Sequence, residues 1–257
     1  MFYIIFEYIK FRIFSTNQHG IHSPFVYDLI TYCFYDNQYY EDYGIISKYR
    51  NNLKKNSSFI NVKDLGAGSK LLSSKSRRIS EIYKKAGITK KRAQLLYRVV
   101  KFFQPNSILE LGTSLGMSSC SLSIGNPKAN IITIEGCPET ASVAKEQFSL
   151  HKLDNIVLIV DEFKNALDEF KTNKFDLMFI DGNHQKVSTI TYFNALLNSA
   201  KDDSIMIFDD IHWSIGMTQA WEVIKKSAKV TLTIDTFYWG IVFFRKGQEK
   251  QHFKIRL

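Results

Sequence analysis

Six acidic side chains and one histidine stand where short apolar runs give way to polar sequence. Glu110 lies within Ser107–Gly116, SILELGTSLG; Glu135 follows IITI at 131–134, and Asp161 follows IVLIV at 156–160. Asp181 follows FDLMFI at 175–180, and Asp209 and Asp210 follow SIMIF at 204–208, with His184 three positions after Asp181. Carboxylates in such places can bind a cation or a metal, hold hydroxyl groups, or take up a proton. Imidazole titrates near neutral pH and can serve as a general base. Buried carboxylates are costly without partners, and several gathered along one sheet edge repel one another. A row of this kind calls for a cationic ligand or a metal ion.

The apolar runs are the elements that must position these groups. Ile108, Leu109 and Leu111 read as a buried parallel strand, and Gly112 and Gly116 lead into a helix opened by Met117. A strand ending in glycines at a helix N-terminus turns backbone N–H groups and the helix dipole toward a polar ligand. The spacing departs from G-x-G-x-x-G, because Ser114 stands where a second glycine would let the backbone close on a pyrophosphate. A nucleoside ligand without pyrophosphate fits better. Glu135 follows Gly112 by 23 positions, close to the roughly 20 expected of a carboxylate that binds ribose hydroxyls.

Downstream, apolar runs alternate with helical segments that begin near Pro138, Glu162, Lys186 and Ser214. Such alternation predicts an α/β, Rossmann-like, doubly wound and mostly parallel sheet. VTLTIDTFYWGIVFFRK reads as two strands joined by a tight turn. That gives seven strands with an antiparallel edge, preceded by a mainly helical N-terminal extension. Ligands in such sheets bind beyond the carboxyl ends of the strands, where the acids stand. The division is expected at residues 1–94 and 95–257.

ILELGTSLGMSS, NIITIEGCPE, FDLMFIDGNH and IMIFDDIHW together resemble class I S-adenosylmethionine-dependent methyltransferases of the catechol O-methyltransferase-like group, over about residues 95–245. The resemblance implies a cofactor site at Glu110, the loop Gly112, Thr113, Ser114 and Gly116, and Ser118 for the methionyl carboxylate. It places Glu135 and Gly136 at the ribose, Asp161, Glu162 and Phe163 along the adenine, and Asp181 beside them. The sulfonium and ammonium groups of this cofactor match the supply of carboxylates. In the metal-dependent members, Asp181, Asp209 and Asp210 fall where Mg²⁺ is held. Two departures stand out. Asp210 replaces the usual Asn, keeping an oxygen ligand suited to a hard cation, and His184 occupies the position of a catalytic lysine. Related enzymes acting on sugars and natural products carry a similar Asp-Gly-x-His segment. The resemblance thus implies O-methylation of a small-molecule hydroxyl, with His184 and Asp181 as the catalytic pair.

Composition narrows the remaining classes. The chain has 257 residues, 45 % of them hydrophobic and 23 % charged, which suits a globular protein with a sizeable core. Cys33, Cys120 and Cys137 share no metal spacing, and their odd number gives no disulfide framework, so a reducing cytoplasm is expected. MFYIIFEYIKFRIF is apolar but interrupted by Glu7, Lys10 and Arg12, and is too short to span a bilayer. It reads first as a buried or homodimer-forming helix and second as a membrane-surface helix. Asp64–Ser69, within VKDLGAGSK, looks like a cofactor loop but lacks a strand–helix context; it reads as a mobile loop that closes over the site or touches substrate. Lys and Arg number 34 against 25 Asp and Glu, a net +9, and many of these cations crowd residues 70–101. Two helices with solvated basic faces account for that run; an RNA-contacting surface is the sharper reading. An RNA methyltransferase, and a non-catalytic binding protein on the same fold, are therefore the alternatives to a small-molecule enzyme.

Overall fold

The computed structural model of the chain describes residues 2–63 and 75–257. The stretch Asp64–Ser69, expected to close over a site, lies outside the described residues. The chain opens with helix α1 (Phe2–Phe14) and helix α2 (Pro24–Leu29), whose N-cap is Ser23 with Pro24 in the first turn. A π-helical turn, Ile30–Phe34, extends α2. Helix α3 (Tyr43–Lys55) and the hairpin of β1 (Phe59–Asn61) and β2 (Ser76–Arg78) come next. The basic run forms two helices, α4 (Ile79–Ala86) and α5 (Lys90–Phe103).

From residue 107 strands and helices alternate. In order they are β3 (Ser107–Leu111), α6 (Met117–Gly125), β4 (Asn130–Glu135), α7 (Pro138–Leu150), β5 (Ile156–Val160) and α8 (Phe163–Glu169). Then come β6 (Phe175–Ile180), α9 (Lys186–Leu196), β7 (Ala200–Phe208), α10 (Ile215–Lys226), β8 (Leu232–Asp235), β9 (Gly240–Phe243) and β10 (Gln251–Lys254). The sheet follows the order β10-β8-β9-β7-β6-β3-β4-β5, a Rossmann-like arrangement. It has eight strands, not seven. Strand β9 is antiparallel to β7 and β8, while the edge strand β10 lies parallel to β8. The expected antiparallel strand is real but internal. The extra strand, QHFK, escaped notice because it is short and mostly polar.

The chain divides into two compact units, residues 36–166 and residues 1–35 with 167–257. The division expected between residues 94 and 95 falls inside α5. Within the first unit, β3, β4 and β5 are parallel and in register, Leu109 beside Ile132 and Ile132 beside Val157. Every residue of α6 is buried. Its small side chains make that possible: a Cβ on Gly125 would stand 2.7 Å from Val100 of α5, so only glycine lets the two helices approach this closely. In the second unit, β6 and β7 are parallel and β7 pairs with β9. Helix α10 is capped by Ser214, whose hydroxyl accepts from Met217 N at 3.2 Å. Apolar side chains fill the sheet faces here, Phe179, Phe208, Trp221 and Trp239 among them, all nearly inaccessible.

Candidate active site

The unit of residues 36–166 holds most of the expected cofactor residues in one hydrogen-bonded set. After β3 the chain turns through Gly112 (φ 102°), Ser114 (φ 48°) and Gly116 (φ 76°), all left-handed. Ser114 tolerates this poorly by itself, and Glu135 holds it there: Ser114 N donates to Glu135 Oε2 at 2.8 Å. The other oxygen, Oε1, accepts from Cys137 N at 2.9 Å. One carboxylate thus joins the loops that follow β3 and β4. Burial raises the pKa of Glu135, opposed by its hydrogen bonds from the backbone of Cys137, Ser114 and Gly136.

Gly116 is required by space as well as by conformation. A Cβ there would meet Tyr49 Oη at 2.4 Å and the Phe148 ring at 2.5 Å. Tyr49, from α3, donates to Leu115 O at 2.8 Å and braces the loop. No side chain caps the first turn of α6, so its leading N–H groups keep their capacity to bind an anion.

Glu110 is fully buried. Its Oε2 accepts from Ser119 Oγ, and from Thr133 Oγ1 at 2.6 Å, while Thr113 and Thr133 share a further hydrogen bond. Its Oε1 has no hydrogen-bond partner. Burial pushes the carboxyl up to about 6, against the hydroxyls of Ser118, Ser119 and Thr133, which pull it down. Asp161 behaves differently. Its Oδ1 accepts from Glu162 N at 2.6 Å and from Asn165 Nδ2 at 3.1 Å, which ties it to the start of α8, the helix that opens with Phe163.

The unit containing residues 167–257 holds the remaining candidates. Asp181 follows β6, and His184 Nε2 lies 3.5 Å from its Oδ1, both side chains being partly exposed. Asn183 (φ 66°) and His184 (φ 42°) are consecutive left-handed residues, and Asp210 (φ 52°) is another. Non-glycine residues in this conformation cost about 1–3 kcal/mol each and tend to gather at working sites. Asp209 is buried, and the chain turns out of line at Asp210, which is less so. Among the described residues no group of three or more His, Cys, Asp or Glu could hold a metal ion, so the expected Asp181, Asp209 and Asp210 set does not form a metal site as placed.

A second network in this unit was missed. His212, two residues past Asp210, is buried; its Nε2 lies 2.9 Å from Asp235 Oδ2 and its Nδ1 3.1 Å from Thr218 Oγ1. Asp235 Oδ1 accepts from Phe237 N at 2.8 Å, and Tyr3 of α1 donates to Thr218 at 2.7 Å. Asp235 ends β8 as the other acids end their strands, and that signal was present in the sequence. Nothing in the sequence marked Tyr3. On the first unit, Tyr49 and Cys137 were likewise unmarked, since each acts through a backbone contact.

Residues 109–211 match the family model described as a methyltransferase domain. A tRNA (guanine-N(7)-)-methyltransferase from Mycoplasmopsis pulmonis is 35 % identical over 77 residues, covering 30 % of this chain and 37 % of that protein. O-methyltransferase hkm8 from Aspergillus hancockii is 30 % identical over 124 residues, covering 46 % and 49 %. The chain spans less than half the length of both curated relatives. The solved structure of the O-methyltransferase TomG from Streptomyces achromogenes, in complex with SAM, has a TM-score of 0.58 at 16 % identity, covering 90 % of this chain and 100 % of that one. Its likeness concerns the fold.

The raised pKa of Glu110 gives a test of its burial. The folded protein holds this proton more tightly than the unfolded chain, so folding gains from Glu110 below pH 4.5 and loses that gain as pH rises through about 6. Replacing it by Gln removes the titrating group while keeping an acceptor for Ser119 and Thr133. Above pH 6 the stability of Glu110→Gln relative to wild type is expected to exceed its value at pH 4.5 by about 2 kcal/mol. Denaturant unfolding across that range measures it, and parallel pH profiles would refute it.

Proposed function

We propose that the methyltransferase domain at residues 109–211 makes this chain an S-adenosylmethionine-dependent methyltransferase, acting on a hydroxyl of a small molecule. The observation that carries the reading is the left-handed loop after β3, tied to Glu135 and followed by an uncapped helix. Those groups suit an amino acid joined to a nucleoside. The first-turn N–H groups of α6, with Ser118, suit the carboxylate, and Glu135 the ribose hydroxyls. The unpartnered Oε1 of Glu110 suits the positive charge. In this reading Phe163 lies along the adenine, with Asp161 fixing the turn that presents it. When bound, the cofactor supplies a methyl group on a sulfonium cation.

The protein's own work is alignment and removal of a proton. Asp181 orients His184 through Nε2, which leaves Nδ1 to take the proton of the acceptor hydroxyl. Asp181, Asp209 and Asp210 are the residues that would hold Mg²⁺ and let it lower the pKa of the acceptor hydroxyl, and no step is routed through it. Residues 1–94 supply acceptor contacts in this reading, and three buried free cysteines suit a reducing cytoplasm.

RNA methylation is a second reading, favoured by one feature. Helix α5 opens on Lys90, Lys91 and Arg92 with no acid in its first turn, where the helix dipole disfavours cations. Lys84 and Lys85 are in the last turn of α4. Similarity to the Mycoplasmopsis enzyme points the same way. RNA binding that weakens steeply with salt would support this reading, and indifference to polyanions would remove it.

Calorimetry with S-adenosylhomocysteine is expected to show binding, and folded protein that takes up none at millimolar ligand would refute the proposal. His184→Ala is expected to lower kcat by ~10²–10⁴ while leaving that binding intact; a loss below about tenfold would make His184 structural. EDTA tests the metal: loss of turnover with recovery on adding Mg²⁺ would support a role for it, and turnover unchanged by EDTA would remove it from the mechanism.

A further inference from the structure

Helix α1 is fastened to its unit along one side. Tyr3 donates to Thr218, Phe11 is buried, and the rings of Tyr8 and Phe11 lie 4.9 and 5.6 Å from that of Phe237. Phe237 stacks in turn on His212, the buried partner of Asp235. The anchor is therefore specific, and it uses little of the helix's apolar surface.

At 3.6 residues per turn, Phe2, Ile5, Phe6, Ile9 and Ile13 fall within one arc of roughly 100°, on the side away from Phe11. All five are exposed, Phe2 by 91 %, Ile13 by 69 % and Phe6 by 64 %. The same geometry sets Lys10 along one border of the arc and Arg12 along the other, and both are exposed. Glu7 is the helix's one acid. It lies outside the arc and pairs with Lys10 at 3.9 Å, its side chain only 11 % accessible. Beyond the helix, Thr16 pairs with the C-terminal strand region at Lys254 and Arg256, adding cations near its end.

An apolar arc bordered by long cationic side chains is the form of a helix lying in a lipid interface. The arc enters the acyl boundary, and the Lys and Arg stems run along it to bring their charges to the headgroups. Two copies packed through the same arc would instead set Lys10 and Arg12 against their counterparts, with no acid in the contact and a net charge of +9 on each chain. We propose that α1 docks this protein on an anionic lipid surface. The helix lies in the plane, since no helix among the described residues is long and apolar enough to cross a membrane.

Flotation of the full chain tests this, using vesicles of phosphatidylcholine alone and of phosphatidylcholine mixed with phosphatidylglycerol. The protein is expected to float with the anionic vesicles and to be released by salt. The double variant Phe6→Ser, Ile9→Ser should bind them at least about tenfold more weakly, and Lys10→Glu, Arg12→Glu should lose the preference for anionic lipid. All four positions are exposed, and unchanged circular dichroism and Tm would verify the fold. Absence of flotation would overturn the proposal. So would a dimer in sedimentation velocity that Phe6→Ser, Ile9→Ser converts to monomer while flotation stays unaltered.

Discussion

The Glu135 carboxylate is the constraint on which the candidate cofactor site depends. It sits at the end of β4 and accepts one hydrogen bond from Ser114 N and one from Cys137 N. Without it, the left-handed turn at Ser114 would lose its hold, and the approach to α6 would be free to relax. The strands on either side are in register, so the position of the carboxylate is set by the sheet and not by the loops. A rigid element thereby fixes two flexible ones, the arrangement a precise binding site needs. A carboxylate has about four lone-pair sites and the backbone donors of Ser114, Gly136 and Cys137 use three, so bracing the loop and receiving a hydroxyl are compatible tasks.

The parts of the fold legible in sequence were those with a long apolar period. The runs at 131–134, 156–160, 175–180 and 204–208 appear as strands at 130–135, 156–160, 175–180 and 200–208. The helix starts near Pro138, Lys186 and Ser214 also agree, because proline and serine mark helix openings by local chemistry. What failed was local weakness of signal. QHFK carries one large apolar residue, and its pairing with β8 is decided by tertiary context. The place of β9 between β7 and β8 could not be read either, since a hairpin states which strands pair with each other and not which of them faces the older sheet.

In the site, residue type was legible and role was not. Strand-ending acids formed one pattern in the sequence, yet the structure gives them different partners. Asp161 accepts from Glu162 N and from the side chain of Asn165 where α8 begins. Asp235, which ends β8, is occupied by His212 and Phe237 N. Glu135 spans two loops. A position at the end of a parallel strand favours an acid for more than one reason: helix N-termini begin there, and their N–H groups attract carboxylates whether or not a ligand is present.

That leaves the question of which acid is kept for charge alone. A carboxylate used as a cap or a brace has both its position and its pKa explained by donors nearby. Glu110 does not. It is wholly buried, its Oε2 accepts from Ser119 and Thr133, the Ser118 hydroxyl also favours its charged form, and its Oε1 still has no donor within hydrogen-bond distance. An uncompensated polar atom in the interior costs about 1–3 kcal/mol, and burial has already driven this carboxyl toward its neutral form. A helical cap or a loop brace could be built without that cost. The expense is rational if the missing donor arrives with a ligand, and a cationic group would satisfy the oxygen and favour the ionised form together. Among the acids of the sheet edge, Glu110 is therefore the one whose position is hardest to account for without a bound partner.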